Sequence, residues 1–245
     1  MTLFLEVMVV FTVAILPQIA ATIFISRDPA YLESLSPGKR SISSLIGFVA
    51  YIVLIVYVAA NRPGGLSSVG LTFTARPAPI SILVAATLTA YLLLIFLVGR
   101  LRSKEVQQRR ETLRRSVFEA GGFSKFKSLP ERCAYLIGLW TGVIAEDLVY
   151  RGYLVLGLAS STGILWPWII LSMTLSVVIH LYQGRDPRLM LGQAVFALLF
   201  IGAVVVTGSV IAAIIPHLAY DTIWFLRGWA IDDKVSMAQP LSEGR

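Results

Sequence analysis

The stretch CAYLIGLWTGVIAEDLVYRGYLVLGLA (133–159) decides the fold that we predict for this chain. Most of it is apolar, and it is long enough to cross a bilayer, because about 20 apolar residues span roughly 30 Å of hydrocarbon. Its centre nevertheless contains Glu146, Asp147 and Arg151. Ionisable residues inside a span cost about 2.5–3.5 kcal/mol each on insertion scales, which makes them functional candidates by default. The stretch therefore predicts a membrane helix with a polar site inside it.

The composition of the whole chain also indicates a membrane protein. Of its 245 residues, 56% are hydrophobic and 14% are charged, whereas about a quarter are charged in a typical soluble domain. Segments of spanning length lie at about 3–25, 42–60, 79–99, 133–158, 164–183, 189–206 and 209–227. We predict an all-α, polytopic integral membrane protein with about seven transmembrane helices in a single bundle, or eight if 99–132 hides a further span.

The positions of the basic residues predict the orientation and argue against a nucleic-acid partner. The net charge is +7, but ten of the 21 Lys and Arg residues fall between Arg100 and Arg132. Basic clusters beside spans usually face anionic headgroups on the cytoplasmic side. Seven spans with the N-terminus outside put 18 of the 21 in the cytoplasm. We predict a multi-pass protein of a prokaryotic plasma membrane, with a cytoplasmic C-terminus and the lipid bilayer as partner.

Two further segments bring ionisable residues into predicted spans. LSMTLSVVIH (171–180) ends in His180, and IIPHLAYDTIWF (214–225) contains His217 and Asp221. Because His217 and Asp221 are four residues apart, an imidazole and a carboxylate lie on one helix face. Imidazoles and carboxylates together bind a metal, activate a water, or do both. A purely structural clamp between helices is the alternative for this pair.

Helical spacing separates the three charged residues of the first stretch. Asp147 and Arg151 are also i,i+4, so they can pair within their own helix. Glu146 is turned about 100° from Asp147 and is left to face other helices. We therefore predict a supporting Asp147–Arg151 pair and an unpaired Glu146 that clusters with His180.

Other reaction classes have less support in the sequence. The chain has neither an HExxH nor a GxSxG motif, and its single cysteine excludes a Cys-rich zinc site. Ser176 lies one turn before His180 and is a candidate nucleophile. We interpret Ser176 as a packing residue, because a serine dyad would leave Glu146 and His217 unexplained.

The three polar segments resemble the motifs of the CPBP family, which comprises CAAX proteases and bacteriocin-processing enzymes, and within it the CAAX prenyl protease 2 and Abi group. That family is characterised by EExxxR, FxxxH and HxxxN or HxxxD on three membrane helices. The corresponding segments here are EDLVYRG (146–152), SVVIH (176–180) and HLAYD (217–221). We accordingly divide the chain into N-terminal helices with a basic loop (1–130), a catalytic core (131–229) and a polar tail (230–245).

The resemblance implies intramembrane hydrolysis of a peptide bond in a membrane-associated or lipidated protein or peptide. Glu146 would be the general base that activates water. His180 and His217 would hold that water, bind a metal or stabilise the oxyanion, and Asp221 would orient or assist them. The cofactor is left open, as either one divalent metal such as zinc, held by these four residues, or none.

Two positions depart from the family pattern. Asp147 stands where the family has a second Glu, and Ser176 where it has Phe. Asp147 and Arg151 would be supporting residues, a role that tolerates the shorter acid. Two non-proteolytic functions remain as alternatives, namely a membrane immunity or scaffold protein of the same fold and a proton-coupled transporter that uses the carboxylates as a relay.

Overall fold

The computed structural model of this chain is all-helical. It describes residues 2–28, 31, 34–72, 77–100, 104, 105, 107, 108, 111, 112, 115, 123, 126–181 and 186–238. The long helices in this part of the chain are α1 (Leu3–Arg27), α2 (Pro37–Ala60), α3 (Pro77–Arg100), α4 (Leu129–Thr162), α5 (Trp166–Val178), α6 (Pro187–Thr207) and α7 (Ile211–Ala238). A short 3₁₀ helix (Gly65–Val69) lies between α2 and α3. The predicted all-α class is therefore confirmed.

Several of the helices have the properties of membrane spans. Within the described residues, four are long and apolar enough to cross a bilayer, namely Leu3–Arg27, Ser41–Ala60, Leu129–Thr162 and Pro187–Thr207. Pro79–Ile95 and Trp166–Val178 are apolar but shorter. These helices support an integral membrane protein, while the exact span count, the orientation and the three-part division stay predictions.

Some predicted features lie partly or wholly outside the described residues. Most of the basic segment 100–132 is among them, as is the end of the predicted tail, 239–245. The first part of that tail is helical, because α7 continues to Ala238.

Helix α4 has well-defined ends and an unusual centre. It begins at a capping box, in which the Ser128 hydroxyl accepts the Glu131 amide and the Glu131 carboxylate accepts the Ser128 amide at 3.0 Å. It ends at Gly163, whose φ of 71° is the left-handed conformation that favours glycine. Between these ends, Asp147–Gly157 is wound as a π-helix. A π-helix bonds each amide to the carbonyl five residues back, so residues i and i+5 lie close together along it.

The π-helical segment is the centre of the bundle. Every residue from Asp147 to Val155 is buried. Apolar residues of α1, α2 and α5 pack around this segment and form the largest core cluster among the described residues. A helix that is covered on all sides tolerates polar residues only where partners are built in beside them. The fold thus surrounds the segment that carries the acids and the arginine.

Glycines let the connection between α2 and α3 approach the π-helical segment closely. A Cβ atom at Gly152 would lie 2.8 Å from the carbonyl oxygen of Val69. Gly70 has a φ of +76°, and its carbonyl accepts the amide of Val210 at 3.1 Å. The glycine that follows the motif arginine therefore has a packing reason, because it makes room for a neighbouring backbone.

A buried ion pair fixes the same connection to α1. The Arg62 Nε atom lies 3.3 Å from Glu6 Oε1, and both side chains are about 5% exposed. Arg62 also donates to the carbonyl oxygen of Gly157 at 2.8 Å. Glu6 and Arg62 are 56 positions apart, so this pair depends on the tertiary fold.

We expect Gly152→Ala to destabilise the protein by about 1–3 kcal/mol, because a methyl group would push into the Val69 carbonyl and overpacked sites cost that much. The measurement is the thermal unfolding midpoint of the purified protein in detergent. Gly202→Ala is the matched control, since nothing lies within 4 Å of a Cβ there and alanine favours helix. Equal midpoints for the two variants would contradict this account of the packing.

Candidate active site

A cavity of about 660 Å³ lies among α1, α2, α4, α5, α6 and α7. Its lining includes residues from all three polar segments of the sequence, namely Glu146, Arg151, His180, His217 and Asp221. Asp147 is fully buried and contacts two of these side chains. The structure thus brings the predicted site residues together around one cavity.

Arg151 holds both acids of the first motif. Its Nη1 atom lies 2.8 Å from Glu146 Oε1 and 2.8 Å from Asp147 Oδ1. The predicted Asp147–Arg151 pair is confirmed, but the prediction that Glu146 is unpaired was wrong. The reason is the π-helix, which brings residue i+5 as well as residue i+4 next to the acids. A regular α-helix, assumed from the sequence, turns Glu146 away from this arginine.

Asp147 also connects α4 to α7. Its Oδ2 atom lies 3.2 Å from His217 Nδ1. A carboxylate at Nδ1 fixes the orientation of an imidazole ring and the proton on that nitrogen. Asp147 therefore contacts Arg151 through one carboxylate oxygen and His217 through the other. The sequence did not suggest the contact with His217.

His217 and Asp221 lie on one face of α7, as their spacing predicted. His217 Nε2 is 3.8 Å from Asp221 Oδ2, which is within ion-pair range but too long for a hydrogen bond. The Asp221 side chain is 23% exposed and lines the cavity. The second nitrogen of His217 therefore faces the cavity side of the cluster, opposite Asp147.

Phe200 of α6 belongs to this cluster, although sequence reasoning missed it. Its ring stacks on His217, with centroids 4.8 Å apart and an interplanar angle of 26°. The guanidinium carbon of Arg151 lies 5.6 Å from the same ring centroid. Aromatic faces attract cations and stack on imidazole rings. Nothing in the apolar run of α6 distinguishes Phe200 from its neighbours, so no sequence signal marks it.

His180 lies in the turn that follows α5, beyond the end of that helix at Val178. Its Nδ1 atom is 2.6 Å from the carbonyl oxygen of Ser176. Because a carbonyl only accepts, Nδ1 donates this hydrogen bond, and in the neutral ring Nε2 is then the acceptor. The ring thus contacts the backbone of Ser176, and the buried Ser176 hydroxyl has no partner in the described structure. Ser176 also lines the cavity, so our interpretation of it as a packing residue stays a prediction.

The donor groups do not form a metal site in the described part of the chain. No group of three or more His, Cys, Asp or Glu side chains is arranged there to hold an ion. Glu146 is paired with Arg151, and Asp147 occupies Nδ1 of His217. The divalent metal that the resemblance allows stays a prediction, and the chemistry considered below uses water and protein groups.

We expect Arg151→Met to destabilise the protein by about 3–5 kcal/mol, because it leaves two adjacent buried carboxylates without their cation. Chemical or thermal unfolding in detergent measures the loss. Arg188→Met is a suitable control, since this exposed arginine should change stability by no more than about 0.5 kcal/mol. Similar losses for both variants would show that the Arg151 pairs contribute little.

Comparison with known proteins identifies the segment that contains this cluster. Residues 129–223 match the family model for type II CAAX prenyl endopeptidases, Rce1-like. Searches of curated proteins and of solved structures found no match to the chain. The matched segment starts at the first residue of α4 and includes all the predicted site residues. The chain therefore carries a domain of the Rce1-like type II CAAX prenyl endopeptidase (CPBP) family at residues 129–223.

Proposed function

We propose that this protein is an intramembrane endopeptidase that cleaves a peptide bond of a membrane-associated or lipidated protein or peptide. The observation that carries the proposal is the convergence of Glu146, His180, His217 and Asp221 on one cavity inside a domain of a CAAX endopeptidase family. A carboxylate and two imidazoles that line one cavity are groups that can activate a water molecule. Peptide hydrolysis therefore explains both the residue types and their common cavity.

Glu146 is the proposed general base. Its side chain is 12% exposed and lines the cavity, and its Oε1 atom accepts from Arg151. This leaves Oε2 to accept a proton from a water molecule, while the acceptor nitrogen of His180 helps to hold that water. The oxygen of the water adds to the carbonyl carbon of the substrate as the proton moves to Glu146. A tetrahedral intermediate with a negatively charged oxygen results.

His217 is the proposed donor to that oxygen. Its Nδ1 lies 3.2 Å from Asp147, while its Nε2 is 3.8 Å from Asp221, too far for a hydrogen bond, so a protonated ring would donate to Asp147 from Nδ1 and to the substrate oxygen from Nε2. An N–H group already oriented toward the developing charge stabilises it without reorganisation. Collapse of the intermediate then breaks the C–N bond. Glu146 returns its proton to the departing amine and becomes a carboxylate again.

The cavity extends from these groups toward one end of the bundle. Its lining continues to Ile25 near the end of α1, Ser41 near the start of α2 and Arg188 at the start of α6. With the orientation predicted from the basic residues, these helix ends are cytoplasmic. We propose that the substrate reaches the site from the cytoplasmic side of a prokaryotic plasma membrane, with the C-terminus of the enzyme on the same side.

We expect Glu146→Gln to lower the rate of peptide cleavage by about 10²–10⁴-fold, since an amide cannot take the proton from water. The variant should remain folded, because the amide oxygen can still accept from Arg151. The assay uses a quenched fluorescent, prenylated peptide that ends in a CAAX sequence, in detergent micelles, with the unfolding midpoint as the folding control. Unchanged cleavage by the variant would contradict the mechanism.

Variants at the proposed catalytic residues, tested in cells, and the purified wild-type protein distinguish the alternative functions and test the cofactor prediction. If cellular function persists in both Glu146→Gln and His217→Ala, a non-proteolytic immunity or scaffold role is favoured. Proton-dependent flux in liposomes would instead indicate a transporter. Metal analysis of the purified wild-type protein, with cleavage measured before and after chelation, tests whether a divalent ion takes part.

We expect Gly192→Trp to reduce kcat/KM for the same peptide at least tenfold, because the large side chain would occupy part of the cavity. Gly192 lines the cavity, and a Cβ there meets nothing within 4 Å, so the fold should tolerate the change. Gly202→Trp is the matched control, since Gly202 lies on the same helix, is exposed and does not line the cavity. Full activity of Gly192→Trp would place the substrate path elsewhere.

A further inference from the structure

The first helix contacts the turn that carries His180. The hydroxyl of Thr22 in α1 donates to the carbonyl oxygen of Ile179 at 3.2 Å. Thr22 is 6% exposed, and Ile179 immediately precedes His180. The two residues are 157 positions apart, so this contact depends on the tertiary fold. Thr22 therefore holds the backbone next to a proposed catalytic side chain.

The same helix contacts the π-helical segment of α4. The hydroxyl of Tyr150 donates to Gln18 Oε1 at 2.8 Å. Tyr150 is fully buried and lies between Asp147 and Arg151 in the sequence. A buried tyrosine hydroxyl needs a partner, because an unsatisfied one costs the desolvation free energy of the group. Gln18 thus fixes the turn of α4 that presents the two acids.

Gln18 and Thr22 form one structural unit on α1. They are i,i+4 residues and so share a helix face, and both line the cavity. One residue of this unit contacts the acid-bearing segment and the other contacts the histidine-bearing turn. Because one stiff helix makes both contacts, it sets the separation between the two segments.

We propose that α1 is a brace for the active site, in which Gln18 and Thr22 are positioning residues that hold Glu146 and His180 at their working separation. This inference rests on the endopeptidase function proposed above. It extends the active unit beyond the family domain, because α1 lies outside the matched residues 129–223.

The turn around His180 has few hydrogen bonds to other segments among the described residues, and its position depends on them. The last carbonyls of a helix have no partner within the helix and must find one elsewhere. The carbonyl of Ile179, at the end of α5, finds Thr22. Within the turn, the His180 amide bonds to Val177 and the ring bonds to Ser176, both from the same short segment. Ile179 also packs against the core cluster, and among the described residues the Thr22 hydroxyl adds a hydrogen bond from another helix that fixes the position of this turn.

The test compares Thr22→Val, which removes the hydroxyl at nearly constant volume, with Thr22→Ser, which retains it. We expect Thr22→Val to lower kcat for the prenylated peptide about ten- to a hundredfold, because displacements of an ångström reduce rates by that order. KM and the unfolding midpoint should change little. Thr22→Ser should restore kcat to within about threefold of wild type, and Thr12→Val, an exposed change on the same helix, should match wild type.

The Gln18 contact is tested by a double-mutant cycle. Gln18→Leu and Tyr150→Phe should each lower kcat, and the double variant should be no worse than the more impaired single variant. Additive losses would show that the two residues act independently and would overturn the Gln18 part of the brace. Equal impairment of Thr22→Val and Thr22→Ser, or full activity of Thr22→Val, would overturn the Thr22 part.

A measurement that does not require cleavage separates failure of the brace from failure of the proposed function. Amide hydrogen exchange of residues 176–181 in detergent should become faster in Thr22→Val and stay unchanged in Thr12→Val. Loss of activity in Glu146→Gln alongside unchanged exchange in Thr22→Val would leave the endopeptidase intact and overturn the brace. Faster exchange together with equal cleavage by wild type and Glu146→Gln would support the brace and overturn the function.

Discussion

The pairing of Arg151 with both Glu146 and Asp147 is the constraint on which the rest of this structure depends. One guanidinium nitrogen lies 2.8 Å from each of two carboxylates, and the arginine is almost fully buried. Arg151 is four residues after Asp147 and five after Glu146. In an α-helix only the residue at i+4 shares a face with the acid, whereas a π-helical turn also brings residue i+5 close to it. Removing such charges from water is favourable only where each finds a partner. The π-helical winding of α4 brings both acids to this arginine, and the core packed around that segment keeps the three charges away from water.

Asp147 both supports the fold and contacts a proposed catalytic residue. Asp147 contacts Arg151 with one oxygen and His217 with the other, so the cation that neutralises the acids is linked to the proposed oxyanion donor. Phe200 completes the cluster by stacking on the imidazole and lying below the guanidinium. The aspartate, one methylene shorter than the family's glutamate, fits a fully buried position between two partners on different helices. Its departure from the motif is therefore compatible with an intact site.

The sequence predicted those features that depend on local spacing. Hydropathy indicated each long helix, and the i,i+4 rule correctly paired Asp147 with Arg151. The same rule failed for Glu146, because a period of 3.6 residues does not hold within a π-helix and no residue type signals one. The contact of Asp147 with His217 could not be predicted either, since it requires the relative depth and rotation of two separate helices.

Polar residues in an otherwise apolar first helix are the signal that the motifs did not capture. Glu6, Gln18 and Thr22 each reach a partner outside α1, respectively Arg62, Tyr150 and the backbone of Ile179. In lipid such groups are favoured where another segment satisfies them, and each of these three residues marks a position where a neighbouring helix or loop lies. Family motifs contain the groups that we propose to act on the substrate, and here those motifs lie in α4 and later segments. In the proposed brace, Gln18 and Thr22 hold those groups in place from more than a hundred residues earlier in the chain. These two residues follow no motif spacing, and only the partner that each must find indicates their role.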